Sequence, residues 1–181
     1  FFNYFIEGKD IGDLDTIIKI LKQTNLYEDE SIKKCNENIN FNKYFEPGEY
    51  KLKINFHGNL DNSLRGFYLS RYKDENGIDH KIGTTQFEST DARRAFPCFD
   101  EPSFKSTFSI TLVRPTGSNY IALSNMPEVR SKTDTPCIGF TEVAFLKSVP
   151  MVTYLAIFIV CDLTYTDTIT EIHKIPMRVY G

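Results

Sequence analysis

The sequence predicts an all-β domain built mainly from antiparallel strands. Residues 50–56 alternate apolar and polar, residues 151–161 are dense in β-branched and aromatic side chains, and an Asn76-Gly77 pair separates two extended stretches. At 181 residues the chain can bury a substantial core. Its 41% hydrophobic, 25% charged and 14% aromatic residues exclude a disordered, collagenous or coiled-coil chain.

Each element follows from its own pattern. Tyr50, Leu52, Ile54 and Phe56 are apolar and Lys51, Lys53, Asn55 and His57 polar up to Gly58, which predicts a strand with one buried face. Across Tyr72–Ile78 the Asn-Gly pair predicts a β-hairpin. Phe108, Ile110 and Leu112 alternate with Ser109, Thr111 and Val113 before Pro115-Thr116-Gly117, giving a further strand and its turn. Met151–Cys161 suits a strand covered on both faces. Asp167–Tyr180, with Ile169, Ile172, Ile175 and Val179 among polar residues, is expected to close the domain as a strand pair. Leu14, Ile17, Ile18 and Leu21 fall at helical spacing, so periodicity alone makes 13–23 an amphipathic helix, while β-branched content and short length favour a strand. No repeat, low-complexity tract or linker divides the chain, which points to one sandwich-like or saddle-shaped domain.

Charge and cysteine usage narrow the function classes. With 21 Lys+Arg against 24 Asp+Glu the net charge is −3, without the basic excess that a phosphate backbone requires, so nucleic acid is not expected as a partner. The longest apolar run, Val149–Cys161, contains Pro150, Thr153 and Tyr154 and falls short of the about 20 residues of a membrane span. Cys35, Cys98, Cys137 and Cys161 form no C-x-x-C pair and are expected to be buried free thiols. No Asn begins an N-x-S/T sequon. The chain opens at Phe1 without Met and closes at Gly181 without a polar tail, so both ends are expected to be cuts through a longer polypeptide.

The informative stretch is Thr84-Thr85-Gln86-Phe87-Glu88-Ser89-Thr90-Asp91-Ala92-Arg93-Arg94-Ala95-Phe96-Pro97-Cys98-Phe99-Asp100-Glu101-Pro102. It resembles the T-Q-F-E-x-T-D-A-R-R-A-F-P-C-F-D-E-P signature in the N-terminal domain of zinc aminopeptidases of the aminopeptidase N and puromycin-sensitive aminopeptidase family. Supporting pieces stand in the family's order: Tyr50 to Leu60, Leu64-x-Gly66-Phe67-Tyr68, Ala122-Leu123-Ser124-Asn125-Met126-Pro127, Pro150-Met151-x-Thr153-Tyr154-Leu155-Ala156 and Arg178-Val179-Tyr180. The resemblance covers 15–181 as one β domain and leaves 1–14 as a divergent or truncated leader. It implies an extended chain from Asp15 to Ile32, which sets the helical reading aside. Leu69, Val152, Phe140 and Ile159-Val160-Cys161-Asp162 depart from the usual pattern and mark a divergent member.

Gln86 and Glu88 are two apart, so on a strand both side chains face one way. The resemblance implies that both project into the active-site cleft, with the Glu88 carboxylate holding the substrate's free α-ammonium and Gln86 lining the first specificity pocket. Arg93, Arg94, Asp100 and Glu101 flank Phe96-Pro97-Cys98-Phe99 and are expected to hold a buried turn beneath that strand, with Pro97 and Pro102 fixing the backbone. Cys98, among aromatics and without a nearby His, is expected to be an inert thiol.

The resemblance also implies a catalytic zinc in the full-length parent, held by an H-E-x-x-H helix and a distant Glu. His57, His80 and His173 lack that spacing, and G-x-M-E-N is missing. The zinc domain is therefore expected after Gly181, and residues 1–181 are expected to bind no metal and hydrolyse nothing alone. The implied partners are the N-terminus of a peptide substrate and the catalytic domain of the same chain; the parent is either cytosolic or a membrane-anchored or extracellular ectoenzyme. The rival is a noncatalytic relative that keeps this domain as an interaction scaffold. Retained Gln86 and Glu88 argue against it, and H-E-x-x-H downstream of Gly181 would discriminate the two.

Overall fold

Alternating apolar patterns become antiparallel ladders in the computed structural model, which describes residues 2–7, 51–56, 58–117 and 119–181. The stretches read as extended over 15–32, together with Cys35 and His57, lie outside the described residues. In chain order the strands are β1 (Phe2–Glu7), β2 (Lys51–Phe56), β3 (Gly66–Lys73), β4 (Asp79–Gln86), β5 (Lys105–Ser106), β6 (Thr111–Pro115) and β7 (Ile121–Ser124). They continue as β8 (Glu128–Thr133), β9 (Phe140–Phe145), β10 (Met151–Val152), β11 (Phe158–Cys161), β12 (Tyr165–Ile169) and β13 (Pro176–Tyr180). Among the described residues the only helical segments are two three-residue 3-10 turns, so the all-β, antiparallel expectation holds.

The central sheet has the order β3-β4-β11-β7. The hairpin β3–β4 runs in register from Gly66↔Gln86 to Lys73↔Asp79. The hairpin forms where the Asn-Gly pair predicts one, but its tip is a longer loop closed by Asp74 N–H to Ile78 O (3.1 Å) and Gly77 N–H to Asp74 O (2.9 Å), in which Gly77 alone takes positive φ (+77°) and Asp74 Oδ1 accepts the N–H groups of Asn76 (2.9 Å) and Ile78 (2.8 Å). A second sheet has the order β6-β9-β8; β1 pairs β2, β5 pairs β10, and β12 pairs β13.

The core lies between the two larger sheets and the chain after β4. Phe87, Phe96 and Phe158 form an aromatic triangle with centroids 5.6–5.8 Å apart. Leu112, Val143 and Phe145 extend it from β6 and β9. Mutual edge and tilted ring packing adds to the area these rings bury.

Two expected elements are interrupted. Met151–Cys161 is not one strand: β10 ends at Val152, a 3-10 turn covers Thr153–Leu155, and pairing resumes at Phe158. Polar side chains capture the backbone there. The Thr153 hydroxyl donates to the Phe99 carbonyl (2.8 Å), and the Asn125 amide donates to Leu155 O (2.7 Å) while accepting the Ile157 N–H (2.8 Å). Nor is the segment covered on both faces, for Leu155 and Ile157 are exposed beside buried Ala156 and Phe158. Likewise Phe108 and Ile110 keep their inward alternation but precede β6; Ser148 holds Phe108 through side chain (2.8 Å) and backbone (2.9 Å). The closing pair forms as β12–β13, from Tyr165↔Tyr180 to Ile169↔Pro176.

Cys98 and Cys161 are buried free thiols, but Cys137 is exposed. It occupies the β8–β9 connection, where Asp134 and Gly139 take positive φ and the Asp134 carboxylate accepts the Gly139 N–H; chain reversal at a surface tip leaves its side chain nothing to pack against. Among the described residues no helix is long and apolar enough to cross a membrane.

Candidate functional site

The end of β4 sorts its side chains by what lies behind them. Thr85 and Phe87 face the core: the Thr85 hydroxyl accepts the Phe158 N–H at 3.1 Å, and Phe87 is 2% exposed. Gln86 and Glu88 are both exposed; regular pairing ends at Gln86, and Glu88 begins a turn. Among the described residues neither side chain has a hydrogen-bond or ion-pair partner, and the Glu88–Ser89 peptide is cis.

The turn beyond is closed by short backbone bonds. The Asp91 N–H donates to Phe87 O (2.9 Å), Arg94 N–H to Asp91 O (3.1 Å) and Ala95 N–H to Ala92 O (2.9 Å), around a fully buried Ala92. Gly66, opposite Gln86 in the ladder, takes φ +69°, and a Cβ there would stand 3.0 Å from Arg94 Cβ. Only glycine allows both the left-handed backbone and the close approach of the turn.

Arg93 and Asp100 fasten this turn to the following segment. Asp100 Oδ2 accepts the Arg93 backbone N–H (3.0 Å) and Nε (3.2 Å), while Nη2 donates to the Asp100 carbonyl (2.7 Å) and to Glu101 Oε1 (3.3 Å). The Asp100 side chain is 2% exposed and that of Arg93 19%, so these are sheltered, charge-assisted bonds. Arg94 is exposed and contributes its backbone; Pro97 is buried and Pro102 exposed. Burial first, then the Asp100 carboxylate, pushes the Cys98 thiol far above its ordinary range, which leaves it protonated and unfit as a nucleophile.

A second polar cluster escaped the sequence reading. His80 stacks on Tyr72 (centroids 4.8 Å, 19° between planes); its Nδ1 bonds Asp162 Oδ2, and the Tyr72 hydroxyl donates to Asp162 Oδ1 at 3.0 Å. Asp74 Oδ2 lies 3.5 Å from His80 Nε2. The Asp162 bond, opposed by desolvation and reinforced by Asp74, holds the imidazole above its usual range. Burial raises the Asp162 carboxyl, but the His80 and Tyr72 bonds outweigh it and the net shift is downward. The hairpin register Tyr72↔His80 was the available signal for the stacked pair; Asp162, just past the end of β11 and far along the chain, had none.

Among the described residues zinc finds no donor set. Among the described residues no group of three or more His, Cys, Asp or Glu is placed to hold a metal ion, the His80 ring is engaged by carboxylates, and His173 is exposed.

Residues 15–155 match the Peptidase M1 N-terminal domain model. The chain is 44% identical over 135 residues to the puromycin-sensitive aminopeptidase of Caenorhabditis elegans, covering 75% of this chain and 14% of that protein. It is 44% identical over 131 residues to mouse (Mus musculus) glutamyl aminopeptidase, covering 72% and 13%. Aminopeptidase M1-A of Oryza sativa subsp. japonica is 43% identical over 148 residues, covering 81% and 16%. The chain thus spans about one seventh of the length of the relatives it matches. A β-rich domain with this signature at the end of β4, matched over most of its length, belongs to the peptidase M1 family as its N-terminal domain.

Proposed function

We propose that this domain is the substrate-capping wall of a zinc-dependent aminopeptidase. Glu88 receives the free α-ammonium of a peptide and Gln86 lines the pocket for its first side chain. One observation carries the reading: two exposed polar side chains without partners among the described residues, Gln86 at the end of β4 and Glu88 just past it, flank Phe87, which is locked into the core. A carboxylate so presented offers a terminal ammonium a charge-assisted hydrogen bond that the neutral nitrogen of an internal peptide bond cannot make in the same form. Selectivity for chain ends follows from that difference. The relatives are named as aminopeptidases, which agrees in reaction class.

In this reading peptide-bond cleavage belongs to the catalytic domain of the parent chain, which supplies the metal ligands. The 181-residue chain alone is then inactive and free of tightly bound zinc. Exposed apolar residues on the last hairpin, Met177 and Val179, agree with a neighbouring domain packed there. The test is Glu88→Ala in the full-length protein. Losing one charged hydrogen bond should lower kcat/KM for free-amine peptides by about 2–3 kcal/mol, roughly 30- to 150-fold. An unchanged kcat/KM would sink the assignment.

A further inference from the structure

Nothing attached to the Glu88 carboxylate among the described residues fixes its direction, so its placement depends on the backbone beneath it. That backbone leaves the β4 ladder after Gln86 and is tied down in sequence: Asp91 N–H to Phe87 O, Arg94 N–H to Asp91 O, then Arg93 N–H to Asp100 Oδ2 at 3.0 Å. The same carboxylate oxygen takes the guanidinium Nε, and Nη2 closes the ring on the Asp100 carbonyl at 2.7 Å. Next to Asp100, the Phe99 carbonyl accepts the Thr153 hydroxyl at 2.8 Å, so the fastening point is itself held by the chain beyond β10. An exposed ion pair would leave the turn free to shift, whereas a carboxylate 2% exposed and bonded to a backbone N–H has a single satisfied geometry.

We infer that Asp100 is a positioning residue for the amine anchor, acting through Arg93 on the turn that presents Glu88. This rests on the reading of Glu88 as that anchor. A bond that served only stability would lower the folded fraction regardless of the side chain at position 88. A positioning bond acts on substrate through the Glu88 carboxylate and loses its effect once that charge is gone.

The experiment is a double-mutant cycle in the full-length protein, with Asp100→Asn and Glu88→Gln made singly and together and kcat/KM measured per folded enzyme on a free-amine peptide. Displacing a binding group by a fraction of an ångström should cost Asp100→Asn about tenfold, mostly in KM, in the Glu88 background and less than about twofold in the Glu88→Gln background. Equal losses in both backgrounds overturn the positioning role and leave the anchor standing. An unimpaired Glu88→Gln enzyme overturns the anchor and the positioning role together. If Asp100→Asn does not fold, Arg93→Lys goes through the same cycle under the same criteria, since lysine keeps the charge and backbone N–H but lacks the planar fork.

Discussion

Replacing Gly66 by alanine should separate two costs that glycine conceals. The backbone term is the left-handed conformation at φ +69°, which an L side chain adopts at about 1–2 kcal/mol. The steric term is the new Cβ, 3.0 Å from Arg94 Cβ and 3.5 Å from Asp91 O. These atoms lie at the root of a side chain and in the backbone, so relief requires the turn to move, and such overpacking costs about 1–3 kcal/mol. Gly77 is the internal control: its φ is +77° but a Cβ there has nothing within 4 Å, so Gly77→Ala carries the backbone term alone. The two variants should therefore differ by about 1–3 kcal/mol, or roughly 0.5–1.5 M in urea midpoint at a typical slope near 2 kcal/mol/M. Since Gly66 pairs with Gln86, only Gly66→Ala should also disturb kcat/KM in the full-length enzyme. Equal midpoints for the two variants would refute the close approach as the reason for glycine at position 66.

Phe87→Ala removes a 2% exposed ring from the aromatic triangle and should cost about 3–5 kcal/mol in denaturant unfolding; a loss below about 1 kcal/mol would mean that the triangle is not the core of the site. Native alkylation followed by mass spectrometry should label exposed Cys137 quickly and spare Cys98 and Cys161, whose thiols burial pushes up; labelling of Cys98 at the Cys137 rate would contradict the packing. His80 should titrate by NMR above the 6.5 of an unperturbed imidazole and move down in Asp162→Asn; a midpoint at or below 6.5 would break the cluster. Its stabilisation is full below the unfolded imidazole pKa and is lost as pH rises through the raised folded value. The contributions of Asp74 and Asp162, whose carboxyls are lowered, are present above the ordinary carboxylate range and lost as pH falls through their depressed values.

The sequence by itself determined features that rest on neighbours along the chain. Alternation at 50–56 and the Asn-Gly pair foretold β2 and the β3–β4 hairpin, because strand periodicity and turn chemistry are local geometry. The Thr84–Pro102 signature pointed to the family without any coordinates. Tertiary structure alone decided where polar side chains reach across the fold. Asn125 breaks the expected 151–161 strand from 30 and 32 residues away, Thr153 bonds Phe99 across 54, and His80 meets Asp162 across 82. A periodic pattern reports which face of a strand is apolar, but not which distant carbonyl or carboxylate the fold will bring within hydrogen-bond reach. Even between near neighbours, Arg93 and Asp100 join through a buried carboxylate that the letters alone leave indistinguishable from a solvated one, since its 2% exposure is set by the elements packed over it.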